Sequence, residues 1–216
     1  RNPFERGRRT FHSLLAMVYG TTPQAFAAAA KVRMEHDRIY GKMKYDVGAF
    51  KQDTDYHANE INAMIWVYAT LWDTVITMYE QIEKPLTQTE KEQFYEETKL
   101  FAMLFGIPME ALPKDWDAFV AYNRDMWASP QLTITPATKD LAKFVMSAQN
   151  VFLILPMWVQ RVFASANLPP RLREQYGMHY GIFTQASYEG MLFGLKIADR
   201  LAPKTFRYNP AYNQAM

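Results

Sequence analysis

The segment Tyr56–Tyr79, YHANEINAMIWVYATLWDTVITMY, constrains this chain more than any other. Its large apolar residues are Ile61, Met64, Ile65, Tyr68, Leu71, Trp72, Val75 and Tyr79. They recur at the period of one helical face. The other side, with Trp66, Ala69, Thr70, Asp73 and Thr77, is hardly polar. A helix that is apolar almost all round belongs inside a bundle, packed on several sides. It does not read as membrane-spanning: Asn62 and Asp73 interrupt it, and no run of about 18 uncharged apolar residues occurs.

The remaining punctuation is helical throughout. A helix is expected from about Phe4 to Gly20, with Phe11, Leu15 and Val18 on its apolar stripe. Thr21 or Thr22 caps the next, with Pro23 near its first position, and Gly41 is expected to end it after Tyr40. Residues 42–55 read as a loop around Gly48. Thr87-Gln88-Thr89-Glu90 is a capping box opening a helix that stops at Gly106. Further helices are expected at Trp116–Ala128, from Thr135-Pro136 to about Gln149, from Met157 to Asn167 behind Pro156, at Pro170–Tyr176 and at Ile182–Leu201. No strand pattern and no repeat is visible. The expectation is an all-α chain of about eight orthogonally packed helices in one domain, residues 1–203, with a polar tail at 204–216.

Composition removes several chemistries. There is no cysteine, so disulfides, thiolate catalysis, Cys-ligated zinc and iron–sulfur clusters are excluded. Net charge is only +2 and the Lys and Arg residues are dispersed, so a nucleic-acid footprint is not expected. No leader pattern opens the chain, which makes a soluble, cytoplasmic protein the default expectation; oligomeric state stays open. Thirteen Met and fourteen Phe furnish either a soft helical core or a large apolar cavity. No zinc-protease motif, paired Glu-x-x-His, nucleophile elbow or phosphate loop occurs.

Two local features remain. His36 is the lone imidazole on a helical face otherwise built from Ala25, Ala29, Val32 and Ile39. It reads either as a hydrogen-bonded core histidine or as a metal or haem ligand. Arg6, Thr10 and Ser13 share a face of the first helix with Arg9 beside them, which reads as a basic surface or as one wall of a polar pocket. Asp73 is expected to be buried and paired with an arginine. Glu92, Glu96 and Glu97 read as a solvated face. A haem site needs little more than a proximal histidine, an apolar pocket and a few polar groups opposite it.

Motifs recurring in order from residue 2 to about 180 resemble the MpaB/rubber-oxygenase family. They are Asn2-Pro3-Phe4-Glu5-Arg6-Gly7-Arg8-Arg9-Thr10, Val18-Tyr19-Gly20, His36-Asp37-Arg38-Ile39-Tyr40-Gly41, Tyr56-His57-Ala58 with Trp66-Val67-Tyr68-Ala69-Thr70-Leu71, Gly106-Ile107-Pro108, and Leu168-Pro169-Pro170-Arg171 running on to Gly177. The resemblance implies a globin-like helical fold that binds haem b. It implies an oxygenase acting with dioxygen on an apolar small-molecule, isoprenoid or other olefinic substrate. His36 would be the iron ligand. Arg6, Arg9 and Thr10 would be catalytic groups on the distal side, and Arg6, Trp66 and Thr70 would help hold the cofactor. Arg9 stands where latex-clearing members can carry an iron-ligating lysine; arginine stays protonated and is a poor ligand. A helix that family members carry ahead of Arg6 lies outside this chain, and a more open pocket is expected. A haem-binding or peroxidase-like protein without olefin cleavage, and a haem-free helical lipid- or partner-binding module, are the alternatives.

Overall fold

The structure is a computed structural model that describes residues 3–203. Its described residues form nine α-helices, two 3₁₀ turns and one two-stranded antiparallel ribbon, arranged as two compact units divided after Leu132. The all-α expectation holds, with the ribbon as the departure from it.

In the first unit, α1 (Pro3–Tyr19) and α2 (Thr22–His36) form a hairpin that turns at Gly20. Thr21 and Gln24 close a capping box at the start of α2, so its first turn is fixed. α2 does not continue to Tyr40. It stops at His36 because the chain then enters a strand, β1 (Tyr40–Lys42), which pairs with β2 (Asp55–His57) in the register Tyr40–His57. The ribbon ties the end of α2 to the start of α3 (Ile61–Ile82). The Ala58 amide donates to the Ile39 carbonyl at 2.9 Å, and Asn59 Nδ2 donates to Asp37 Oδ1 at 2.7 Å. Three-residue strands carry too little alternation to be seen in a sequence.

The core of this unit lies between α3, α4 (Gln88–Leu104) and α5 (Trp116–Ala128). Ala69 and Ala102 are fully buried, and such small residues allow close approach of helix backbones. The Tyr95 and Phe119 rings meet at a tilt with centroids 4.8 Å apart, and Trp116 lies 5.3 Å from Phe119. Tyr68 Oη and Thr98 Oγ1 lie 2.8 Å apart in the same interior. Asp73 is half-buried on the α5 side of α3. Its carboxylate accepts from the Trp127 indole, not from an arginine, and burial pushes its pKa above the usual carboxylate range. The acidic cluster of α4 is not simply solvated either: Glu92 accepts from the Trp116 amide at 3.0 Å, and Glu96 pairs with the buried Lys99.

The second unit, Thr133–Leu201, holds α6 (Pro136–Val145), α7 (Ile154–Asn167), α8 (Pro170–Tyr176) and α9 (Ile182–Leu201). Pro156 sits in the first turn of α7, where its missing N–H costs nothing, so the helix begins before it instead of after it. α7 and α9 pack through Phe163 and Tyr188, whose rings meet edge-to-face at 5.1 Å. Gly177 ends α8 with φ 69°, a left-handed conformation that glycine adopts without strain.

Candidate functional site

A cavity of about 470 Å³ opens in the first unit between α1, α2 and α3. Each wall follows from helical periodicity. Arg9, Thr10, Ser13 and Leu14 line it from α1, two adjacent rows of one face. Lys31, Val32, Glu35 and His36 line it from α2, and Ile39 from the turn beyond. Ala63, Met64, Val67 and Leu71 line it from α3, with Ala58 and Phe105 closing the ends. The floor is therefore apolar and the rim is charged. Val67 is 52% exposed and Ile39 43%, because they face this open space.

His36 is half-buried, and among the described residues its ring has no hydrogen-bond partner. It occupies the last turn of α2, and its carbonyl accepts from the Ile39 amide at 2.9 Å. The Asn59–Asp37 bond and the Arg33–Asp37 pair at 3.3 Å secure the next residue, so the position of His36 is set from both sides. Across the cavity Arg9 Nη1 lies 4.0 Å from Glu35 Oε1. A pair this exposed is worth about 0–1 kcal/mol, so it orients the guanidinium more than it stabilises the fold. Two cations, Arg9 and Lys31, face one carboxylate, Glu35, at the rim.

The site residues expected from sequence are partly gathered here. Arg9, Thr10 and His36 line one cavity. The Arg6 side chain lies outside the described residues, as does the tail 204–216. Trp66 and Thr70 are not brought to the cavity. They lie one row around α3 from Ala63, Val67 and Leu71; Trp66 packs edge-on against Trp127 at 4.8 Å, and Thr70 Oγ1 donates to the Val67 carbonyl at 2.9 Å. Lys31, Glu35, Val67, Leu71 and Phe105 complete the cavity and were not singled out for it. The signal that could have found Val67 is the helix itself: a side chain apolar on every face of α3 needs a second apolar neighbour, and the cavity is that neighbour.

The other histidines are employed or remote. His57 Nδ1 accepts from the Asn59 amide at 3.0 Å, and its ring stacks on Tyr40. His12 does not line the cavity, and His179 belongs to the second unit. Among the described residues no group of three or more His, Asp or Glu side chains could hold a bare metal ion.

A family model described as the ER-bound oxygenase mpaB/B′/rubber oxygenase catalytic domain matches residues 1–196. The chain belongs to this oxygenase family. Two curated relatives are each 24% identical over 208 residues, covering 94% of this chain and 77% of their own length: the uncharacterized protein Mb2261 of Mycobacterium bovis and the uncharacterized protein Rv2237 of Mycobacterium tuberculosis. No solved structure matches this chain. Among the described residues no helix is long and apolar enough to cross a membrane.

Proposed function

We propose that this protein is a haem b-dependent oxygenase that acts with dioxygen on an apolar olefinic or isoprenoid substrate. The observation that carries the reading is the His36 imidazole, without a partner among the described residues, on the wall of a largely apolar cavity in a chain of an oxygenase family. The residues fit the cofactor in three respects. A porphyrin supplies four nitrogen donors itself, so one imidazole is a sufficient protein ligand. Lys31 at the rim is suited to a propionate carboxylate. The cavity volume of about 470 Å³ falls within the range of ligand pockets.

When bound, haem b supplies an iron centre at which dioxygen reacts. The chain's own groups do the rest. His36 would hold the iron through one ring nitrogen. Arg9 and the Thr10 hydroxyl present donors across the cavity, where charge on oxygen is stabilised. Met64, Val67, Leu71 and Phe105 hold an apolar chain and exclude water. Cleavage of a carbon–carbon double bond by dioxygen leaves one carbonyl on each fragment, so both oxygen atoms enter product and no outside reductant is consumed. Glu35, 4.0 Å from Arg9, is the carboxylate placed to take or return a proton.

The test is oxygen uptake by haem-loaded protein supplied with squalene, with product masses read in parallel. Uptake with carbonyl products supports the proposal. Stoichiometric haem with no uptake on any isoprenoid would assign the protein to haem binding without olefin cleavage. Arg9→Ala should lower turnover while leaving haem content near that of the unaltered protein; an unchanged rate would return Arg9 to a surface role.

A further inference from the structure

The second unit contains a cavity of its own, about 490 Å³, whose charged groups are all basic. Lys139 and Lys143 enter it from α6, Arg161 from α7 and His179 from the turn after α8. Among the described residues no Asp or Glu lines it. Among the described residues, none of these four side chains has an ion-pair partner; Arg161 Nε reaches only the Met157 carbonyl of its own helix, at 3.4 Å. Elsewhere the chain pairs its cations readily: Arg33 with Asp37, Lys84 with Glu90, Lys91 with Glu80, Lys99 with Glu96.

This convergence is not what dispersed surface charge produces. Lys139 and Lys143 are one helical turn apart, where like charges repel. Lys139 is half-buried and Lys143 is exposed. His179 lies close to the chain at Gly181, where a Cβ would come within 2.8 Å of its Nε2. Gly177, in its left-handed conformation, delivers Met178 and His179 to the wall, and the Met178 amide donates back to the Arg173 carbonyl at 2.9 Å. Between the cations lie Trp158, Met146, Val162 and Met178, an apolar and polarisable surface. Ser147 and Thr184 add hydroxyls at the edge.

We infer that this cavity binds an amphipathic anion, a phosphate or similar headgroup held by Lys139, Lys143 and Arg161 with its apolar body against Trp158 and the methionines. Arg161 supplies the planar fork and the lysines supply point charges, a division of labour suited to phosphate. The site is independent of the cavity that holds His36, since the two share no residue.

Isothermal titration of the whole chain with dodecyl phosphate, below its micelle concentration, tests this, with inorganic phosphate and dodecanol as the separate halves of the ligand. Saturable dodecyl phosphate binding, tighter than either half and weakened by salt, is expected. Lys143→Gln and Arg161→Gln should each weaken it about tenfold with the helical circular dichroism unchanged. His36→Ala should leave it intact. Binding in either glutamine variant that is as tight as in the unaltered protein, or binding lost in His36→Ala, would overturn the assignment. Inorganic phosphate or dodecanol alone binding as tightly would overturn the amphipathic ligand, and so would no binding at all.

Discussion

Removing the buried hydroxyl pair that joins α3 to α4 gives two unequal losses. Thr98 Oγ1 donates its proton to the Tyr95 carbonyl at 2.8 Å, so it is the Tyr68 hydroxyl that donates to Thr98, also at 2.8 Å. Tyr68 is 2% exposed and Thr98 5%, so neither group can turn to water. Burial pushes the Tyr68 phenol up to about 12, and it stays a donor at any working pH. In Tyr68→Phe, Thr98 keeps its bond to Tyr95 and loses only an accepted proton, which costs about 1 kcal/mol. In Thr98→Val the Tyr68 hydroxyl is left buried without an acceptor, which costs about 1–3 kcal/mol. The double variant has no orphaned hydroxyl, so its loss should fall short of the sum by about 1 kcal/mol or more. Urea unfolding of the four proteins measures all three terms. Equal single losses, or strict additivity, would show that the two hydroxyls do not act as a pair.

Three further outcomes are expected. Gly20→Ala would place a Cβ 2.3 Å from the Ala16 carbonyl oxygen, a backbone atom that cannot rotate away; a loss of about 1–3 kcal/mol in denaturant unfolding is expected, together with weaker haem retention, because this turn sets the α1–α2 wall. Asp73→Asn keeps an oxygen for the Trp127 indole and removes a charge that burial penalises. Because the folded pKa is raised, the penalty grows as pH rises from the unfolded carboxylate value, about 3.9, through the folded one; the variant should therefore melt higher than the unaltered protein at pH 7 and lose that advantage in acid. Glu90, held near a pKa of about 2 by the Thr87 amide and by Lys84, carries the opposite sign: its contribution is present above the unfolded carboxylate value and fades as pH falls from that value towards about 2, so Glu90→Gln should flatten the acid limb of a melting-temperature series.

The helices were legible because their signals are local. The capping box at Thr87–Glu90, the Thr135-Pro136 start and the Gly106 stop are where sequence places them. The errors arise where distant residues decide. The end of α2 at His36 depends on β2, about twenty residues later, drawing the chain into a ribbon. The partner of Asp73 is an indole on α5, which no spacing rule can supply. At the site, the residues alone left His36, Arg9 and Thr10 open between core or surface roles and a pocket, and α1 and α2 bring all three to one cavity. Trp66 and Thr70 followed from the motif they belong to, but a motif on α3 spans several rows of the helix, and only the row of Ala63, Val67 and Leu71 faces the cavity.

The most direct test is an absorption spectrum of the protein expressed with haem supplied, compared with that of His36→Ala. The account predicts a Soret band near one haem per chain that shifts with carbon monoxide after reduction, and a His36→Ala protein that keeps its helical circular dichroism but has lost stoichiometric haem. A colourless protein that takes up no haem on titration, or a His36→Ala variant with full haem occupancy and an unchanged ferric spectrum, would contradict it.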